Sequence, residues 1–392
     1  MTLKVGLIGC GNISDVYLLN APKFRDFAIV ACADINPEAA KRQSERHAIP
    51  ARSVNDLLAS EDVEIVLNLT IPEAHAEVSL SALQAGKHVY SEKPLATRLA
   101  DGRAILAEAE ARELRVGAAP DTVLGASLQE ARALIDARAI GKPLTGLASV
   151  LSHGMEHWHP NPGFFFRAGA GPVFDMGPYY LTALVTLLGP VASVQALGQI
   201  GFAERKVTTP DSPVRGRAIR VETLTSVQAL LDFASGAQLT FLASWDVWRH
   251  GVLPIELYGE TGSMRLPDPN WFGGDLHIAR GNFDWSAIET QSLTFGRANW
   301  PAETPEYANY RGLGLADMAR GIKDKRPHRA NGEIALHVLA VMSGILEAAT
   351  EGRRVTIEPR CERPGPLLEA EASGLLKEGR EWRAIGTPRP EA

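Results

Sequence analysis

The chain has 392 residues, too many for one ordinary hydrophobic core, so two domains are expected. Hydrophobic residues make up 45% and charged residues 22%, and 40 basic against 46 acidic side chains give a formal charge of −6, a mild acidity that argues against a nucleic-acid binder. Three cysteines with no CxxC pair and no run of about 18 apolar residues point away from a disulfide scaffold and a membrane span, toward a cytoplasmic protein.

From the amino terminus, short β-rich runs alternate with helical patterns. "LKVGLIG" (3–9), "FAIVACAD" (27–34), "VEIVLNLT" (63–70), "KHVYSE" (87–92) and "LRVGAA" (114–119) are strand candidates, apolar at nearly every position. The first is too short for a signal peptide, and glycines follow it. Between them "PEAAKRQSERH", "PEAHAEVSLSALQAG" and "TRLADGRAILAEAEARE" read as helices, two of them opening with proline. Repeated βα units imply a doubly wound parallel sheet, an α/β Rossmann domain over residues 1–122, whose ligands sit beyond the carboxyl ends of its strands.

The first strand runs into "GCGNIS". Gly9 permits a tight turn, Gly11 lets a pyrophosphate approach the backbone, and Asn12 and Ile13 lead into a helix whose free N–H groups face the phosphates. Ser14 stands where that fingerprint prefers Gly or Ala. As a glycine pair alone this is no more than a turn; its place between a strand and a helix makes it a dinucleotide site. Asp34 ends the second strand 25 residues after Gly9, where a carboxylate can accept from a ribose diol and repel a 2′-phosphate. NAD is expected, with Lys41 and Arg42 leaving NADP open.

In "VYSEKPLA" (89–96) a buried strand gives way to Glu92, Lys93 and Pro94. A lysine at a strand end is ordinarily solvated. After a dinucleotide fingerprint, Lys93 lies on the edge where a nicotinamide belongs, and Pro94 biases it away from helical geometry, a cis Lys93–Pro94 bond being one option. Beside a positive nicotinamide its pKa is expected to be depressed, so that it can exchange a proton with a hydroxyl.

Beyond "GAAPD" an amphipathic segment is expected to end at Gly141 and Pro143, after which the period shifts to two. "LTGLASVLS", "VASVQALGQIGF", "TSVQALLDF", "AQLTFLASWDV" and "LPIELYG" read as strands, with a hairpin turn at Ser235-Gly236. Residues 123–392 are thus expected to form an α+β domain with a large, mainly antiparallel sheet, one face under helices and the other free for a partner subunit. Residues 203–220 read as a polar loop or ragged hairpin, and 358–392 as a surface-wrapping tail.

Two stretches of this domain look chemical. In "GPVFDMGPYYLTALVTLLG" (171–189) Asp175 can cap the helix that Pro178 opens, which would suffice to explain it, and Tyr179 and Tyr180 fall in the first turn, at its exposed end. In "SHGMEHWHPNPGFFF" (152–166) the spacing of His153, His157 and His159 invites a zinc site, but no acid or cysteine completes a set locally, and no metal is expected. His157 and His159 with Trp158 equally suit a polyol-binding wall.

"GLIGCGNIS", "LNLTIPEAHAEVSLSALQAGKHVYSEKPLA", "GAGPVFDMGPYYLTALVTLLG" and "IELYGETGSMRL", in that order along almost the full chain, resemble the glucose–fructose oxidoreductase/inositol dehydrogenase (Gfo/Idh/MocA) family. The resemblance implies a Rossmann domain followed by a sheet domain that carries substrate residues and often the oligomer interface. It implies NAD(P)-dependent oxidoreductases of sugars, inositols and their derivatives. Lys93 then matches the lysine that contacts substrate and nicotinamide, and Asp175 the aspartate of the second motif. That motif usually has histidine as acid/base where this chain has Tyr179. Tyrosine is known there in some members, but a phenol near pKa ~10 needs Lys93 or the cofactor charge to act near neutrality. Thr70, Ile71, Pro72 and His75 align with the segment near the nicotinamide ribose, and Glu92 adjoins it. The expected activity is reversible hydride transfer between nicotinamide and a carbinol or ketone carbon of a sugar, cyclitol or sugar derivative. Tyr179 would exchange the hydroxyl proton, Lys93 would hold the oxygen, and Asp175 would orient Lys93 or a second hydroxyl. Two other outcomes stay open: glycoside cleavage through transient oxidation of the sugar, and a non-catalytic NAD-responsive regulator. A homo-oligomer, dimer or tetramer, is expected through the C-terminal sheet.

Overall fold

The computed structural model describes residues 2–301 and 304–377. The first unit runs β1 (Leu3–Ile8), α1 (Ser14–Asn20), β2 (Phe27–Ala33), α2 (Pro37–His47), β3 (Ala51–Arg52), α3 (Val54–Ala59), β4 (Ile65–Asn68), α4 (His75–Gln84), β5 (His88–Ser91), α5 (Leu99–Ala111) and β6 (Val116–Ala118). Its strands lie in the order β3-β2-β1-β4-β5-β6 and pair in parallel throughout. Helices on both faces make nearly every position of the central strands a core position, and Val5, Leu7, Ile65, Val66, Leu67, Val89 and Tyr90 are fully buried. Local chemistry sets the helix starts. Asn36 accepts from the Glu38 N–H with Pro37 in the first turn of α2, and the Ser53 hydroxyl accepts from the Asp56 N–H at α3. The strand order reverses between β1 and β4, the crevice where such sheets bind ligands.

The second unit continues with α6 (Ala126–Asp136), β7 (Pro143–Leu151), α7 (Gly171–Asp175), α8 (Gly177–Leu188), β8 (Val191–Gln199), β9 (Glu204–Lys206), β10 (Ala218–Arg220), β11 (Ser226–Phe233), β12 (Gln238–Ser244), β13 (Ile255–Gly259), β14 (Gly262–Leu266), β15 (Leu276–Arg280), β16 (Trp285–Ile288), α9 (Leu313–Asp324), α10 (Gly332–Glu351), β17 (Val355–Thr356) and α11 (Glu369–Gly374). Nine strands form one sheet, β16-β15-β14-β13-β7-β12-β11-β8-β17, antiparallel except for the β7–β12 pair. At the β11–β12 turn Gly236 takes φ 90° and the Phe233 N–H donates to the Ala237 carbonyl, closing a tight hairpin. Val227, Ala229, Leu231, Leu239, Phe241 and Ala243 point to the buried face, against α6, α8 and α10. The opposite face carries exposed Leu197, Leu230 and Tyr258. Helix α10 has the length and apolarity of a membrane span, yet two thirds of it is buried, against β8, α8 and α5.

Several details differ from expectation. Helix α6 stops at Asp136, short of Gly141, because Arg138 turns into the left-handed region. Residues 204–206 and 218–220 form a short antiparallel ladder, in keeping with the ragged hairpin expected there. Of the tail, the described part returns to the first unit, where Leu376 bridges to Phe24; residues 378–392 lie outside the described residues.

Candidate active site

At the end of β1, Gly9 adopts φ +103°, and a Cβ there would meet the Leu69 carbonyl at 2.5 Å. The turn is therefore pressed against the end of β4, as only glycine allows. Around Gly11 no atom lies within 4 Å of a Cβ position, so the backbone is open to an incoming group. Exposed Asn12 and half-buried Ile13 lead into α1. Ser14 is buried; its hydroxyl donates to the Gly11 carbonyl at 2.6 Å and accepts from Gln43, so it locks the turn. The Asp34 carboxylate is fixed beside the turn by the Cys10 N–H (2.7 Å) and the Asn36 N–H (2.8 Å). Next to it Ile35 is 96% exposed, an apolar surface suited to a heterocycle.

Across the switch point, Asn68 organises the loop after β4, accepting from the Thr70 hydroxyl and donating to the His75 carbonyl and Ser79. The His75 ring is buried between the Pro94 carbonyl (2.6 Å) and the Thr70 carbonyl (3.0 Å), and burial pushes its pKa down. The ring thus sits between this loop, with its Pro72 turn, and the Lys93–Pro94 segment, its single N–H in the neutral form donating to one of the two carbonyls. That segment contains a cis Lys93–Pro94 bond. Buried Glu92 accepts from the Tyr17 hydroxyl (2.9 Å) and from the Lys93 N–H (2.9 Å).

Lys93 reaches from the end of β5 into the second unit. Its Nζ donates to the Asp175 carbonyl (2.6 Å) and Oδ1 (2.9 Å), and lies 5.2 Å from the centre of the Tyr179 ring. Burial disfavours its charge, but the Asp175 carboxylate, and after it Tyr179 and Glu92, outweigh burial and raise its pKa above the ordinary lysine range. In the protein alone, without the nicotinamide on which the expected depression depends, Lys93 is a firmly held ammonium. The helix-cap expectation for Asp175 fails, since its carboxylate pairs with Lys93 and α8 starts with no side-chain cap. Tyr179 and Tyr180 are buried rather than exposed, at 7% and 3%, and the Tyr180 hydroxyl donates to Asp268. Sequence reasoning missed Arg311, just before α9, a buried guanidinium that donates to Asn309 (3.0 Å) and Asn270 (2.9 Å).

A pocket of about 150 Å³, some tenfold what one water needs, opens beside Lys93 and Asp175. Pro72, Glu73 and Thr97 of the first unit and Phe164, Phe165, Arg167 and Phe174 of the second line it. His159 packs edge-on behind Phe164 and Phe165, and burial lowers its pKa. The expected histidine–tryptophan wall is split. Exposed His157 faces His153, which stacks on Trp248 at 3.4 Å, while Trp158 meets His159 edge-on. Beneath them buried Arg205 pairs with Glu156 (2.6 Å) and Asp246.

Residues 3–119 match the oxidoreductase family model with an NAD-binding Rossmann fold, and residues 128–265 match the GFO/IDH/MocA C-terminal domain. The chain is 30% identical over 275 residues to inositol 2-dehydrogenase 3 of Saccharopolyspora erythraea, covering 69% of this chain and 74% of that protein. It is 35% identical over 289 residues to inositol 2-dehydrogenase of Burkholderia multivorans, covering 71% and 78%. In fold it is similar to levoglucosan dehydrogenase solved with NADH and levoglucosan, with a TM-score of 0.77 at 21% identity over 92% of this chain and all of that one.

Proposed function

The chain belongs to the GFO/IDH/MocA oxidoreductase family, with an NAD-binding Rossmann unit at its amino end, and on that premise we propose that it moves a hydride between nicotinamide and a carbinol or ketone carbon of a sugar, cyclitol or sugar derivative. The observation that carries this reading is the convergence of Lys93 and Asp175 from two units at one pocket, with the Tyr179 ring centre 5.2 Å from Lys93 Nζ.

Bound NAD would supply the hydride acceptor or donor. Gly9, Gly11, Asn12 and Ile13 would hold its pyrophosphate, Asp34 its adenosine ribose, and Thr70, Pro72 and Glu92 would line the nicotinamide half, with His75 bracing the loop. The fixed Asp34 carboxylate disfavours a 2′-phosphate, so NAD is preferred to NADP.

The raised pKa of Lys93 separates the two proton roles. As a stable ammonium, Lys93 holds the substrate oxygen and favours its negative charge, with Asp175 fixing its position. Tyr179 then exchanges the proton. In oxidation the carbinol C–H bond would break with its electron pair leaving on the hydride, the hydroxyl proton would pass to Tyr179 in its deprotonated, phenolate form, and a carbonyl would remain. Phe164, Phe165 and Phe174 would pack on C–H faces of the substrate, while Arg167, His159, Trp158 and His157 would meet more distant hydroxyls. A second copy of the chain would dock on the open face of the nine-stranded sheet.

The test is a panel of sugars, inositols and keto-sugars offered with NAD and NADP and followed by absorbance of the reduced cofactor. With the best substrate Lys93→Met should lower turnover more than about tenfold at unchanged fold. No turnover across the panel, or a smaller effect of that variant, would overturn the proposal.

A further inference from the structure

Four ionisable side chains line the pocket of about 150 Å³: Glu73 and Lys93 from the first unit, Arg167 and Asp175 from the second. Two of them are spent on each other, since Lys93 Nζ donates to Asp175 Oδ1 at 2.9 Å. Among the described residues neither the Arg167 guanidinium nor the Glu73 carboxylate has a hydrogen-bond or ion-pair partner, although both are exposed at this one pocket. The pocket therefore offers a free cation on the wall of the second unit and a free anion on that of the first, beside Pro72.

The backbone that carries Arg167 is fastened on both sides. Pro162–Phe166 form a 3₁₀ turn, the Arg167 N–H donates back to its Phe164 carbonyl (3.4 Å), and the Arg167 carbonyl accepts from Ala170 (3.1 Å). Phe166 is fully buried against Trp245, and its carbonyl accepts from the Glu222 N–H (2.8 Å). What the turn leaves free is a planar fork of N–H donors, which matches the two oxygens of a carboxylate better than the single oxygen of a hydroxyl. Phe164, Phe165 and Phe174 on the same wall suit the C–H face of one sugar ring.

We infer that the substrate of this pocket is a sugar acid, its carboxylate held in both oxygens by Arg167 while its carbinol lies at Lys93. The inference rests on the hydride-transfer reading and names a substrate class for it. Glu73 gives the selection a direction: a carboxylate is drawn to the second unit's wall and repelled from the first unit's, so the acid end of the substrate points away from the Pro72 turn. The chain as a whole is acidic, at −6, so an anion gains here only what Arg167 itself supplies. Arg167 touches no reacting atom; it sets specificity.

The experiment compares matched pairs offered with NAD: D-glucose with D-glucuronate, D-galactose with D-galacturonate, and D-mannose with D-mannuronate. In at least one pair the acid should have the higher kcat/KM, by about tenfold, the scale of one charge-assisted hydrogen bond. Arg167→Gln should lower the acid-to-neutral ratio of kcat/KM by a similar factor, chiefly through KM, and Arg167→Lys should recover part of it. Raising the salt from about 0.05 to about 0.5 M should raise KM for the acid and leave that of the neutral sugar in place. A neutral sugar preferred in every pair, or a ratio that Arg167→Gln leaves unchanged, would overturn the inference. Binding separates it from the proposed activity. With NADH present, saturation-transfer NMR should show a uronate contact that Arg167→Gln removes. Uronate held through Arg167 with no reduced cofactor ever formed from NAD would keep the selectivity and sink hydride transfer; neutral hexoses oxidised with no uronate bound would do the reverse.

Discussion

An alanine at position 9 would need a φ of +103° and would drive its Cβ to 2.5 Å from the Leu69 carbonyl carbon and oxygen, both backbone atoms that cannot yield. Gly9→Ala should therefore cost about 1–3 kcal/mol and weaken NADH binding together, seen as a lower Tm and a weaker fluorescence titration. Gly11 is the contrast. Its Cβ position is empty to 4 Å, so Gly11→Ala should leave stability within about 0.5 kcal/mol while filling the space a pyrophosphate would take. Equal losses of stability in the two variants would undo the distinction. His328 carries a prediction of another kind. Buried, with Nε2 at 3.2 Å from the Val116 carbonyl, it is pushed down to about 4 by burial, against the opposing pull of Asp317. The unfolded chain protonates this ring near its ordinary value of ~6.5, so between about pH 6.5 and 4 the unfolded state binds more protons and stability falls as pH falls. Replacing His328 by Gln should shrink the loss between pH 7.5 and pH 5 by about 2 kcal/mol, measured by urea unfolding at the two pH values. An unchanged pH dependence would show that the imidazole protonates freely in the fold.

The segment bearing His153, His157 and His159 is held in place by the β9–β10 ladder rather than by its own secondary structure. Arg205 in β9 donates to Glu156 and to the His153 carbonyl on one side, and to Asp246 and the Trp245 carbonyl on the other. With the Arg205 and Glu156 side chains 4% and 6% exposed, removing the cation would strand two acids away from water. Arg205→Met should cost about 3–5 kcal/mol, read as a fall in unfolding midpoint, and should raise the sugar KM as the segment loosens. A loss below about 1 kcal/mol would mean the network is wet and weak. At this scale the elements divide into those that advertise themselves and those that do not. The strands of the first unit were legible because burial on both faces leaves continuous apolar runs, and β11 and β12 because one open face leaves strict alternation. Helix α10 was not, because residues such as Ile334, Leu336, Val338, Leu339, Val341 and Met342 are buried nearly all round and no polar face displays its period. The two-residue strand β3 and the half-exposed β16 are too short or too wet to show a pattern. The candidate site divides the same way. Gly9, Asp34 and Lys93 stand out by local context, whereas Asp175 beside Pro178 looks like a helix cap until its partner 82 residues away is in place. Arg311 carries no local signal at all; its place is set by Asn20, Asp121 and Asn270 of distant segments.

At the scale of the whole molecule the two sheets face different fates. The parallel sheet is covered on both sides, and α10 ties it to the second unit through α5 and β6. The nine-stranded sheet is covered on one side only. On its open side Leu197 of β8 and Leu230 of β11 are 75% and 59% exposed, and the register pairs Leu197 with Gln228 and Leu230 with Gln195, so the two leucines sit diagonally on one surface. Tyr258, paired with Thr145, extends the same surface across β7 to β13. Amide and hydroxyl side chains such as Gln195, Gln228 and Thr240 stand between them, and charges on this face occur as pairs, Asp232 with Arg354 and Glu256 with Arg265. A face that is apolar, flat and self-complementary is suited to an isologous contact in which each copy presents the same strands. The native chain should therefore sediment as a dimer or a multiple of it at micromolar concentration. The pair Leu197→Asp and Leu230→Asp should shift it to monomer, because two carboxylates per copy would be buried unpaired across the twofold axis. The pocket beside Lys93 lies between the two units of a single chain and draws its lining from that chain. The monomeric variant should consequently keep its NADH affinity, so that assembly and cofactor binding separate in one experiment. A native chain that remains monomeric at high concentration would leave the open face without this occupant.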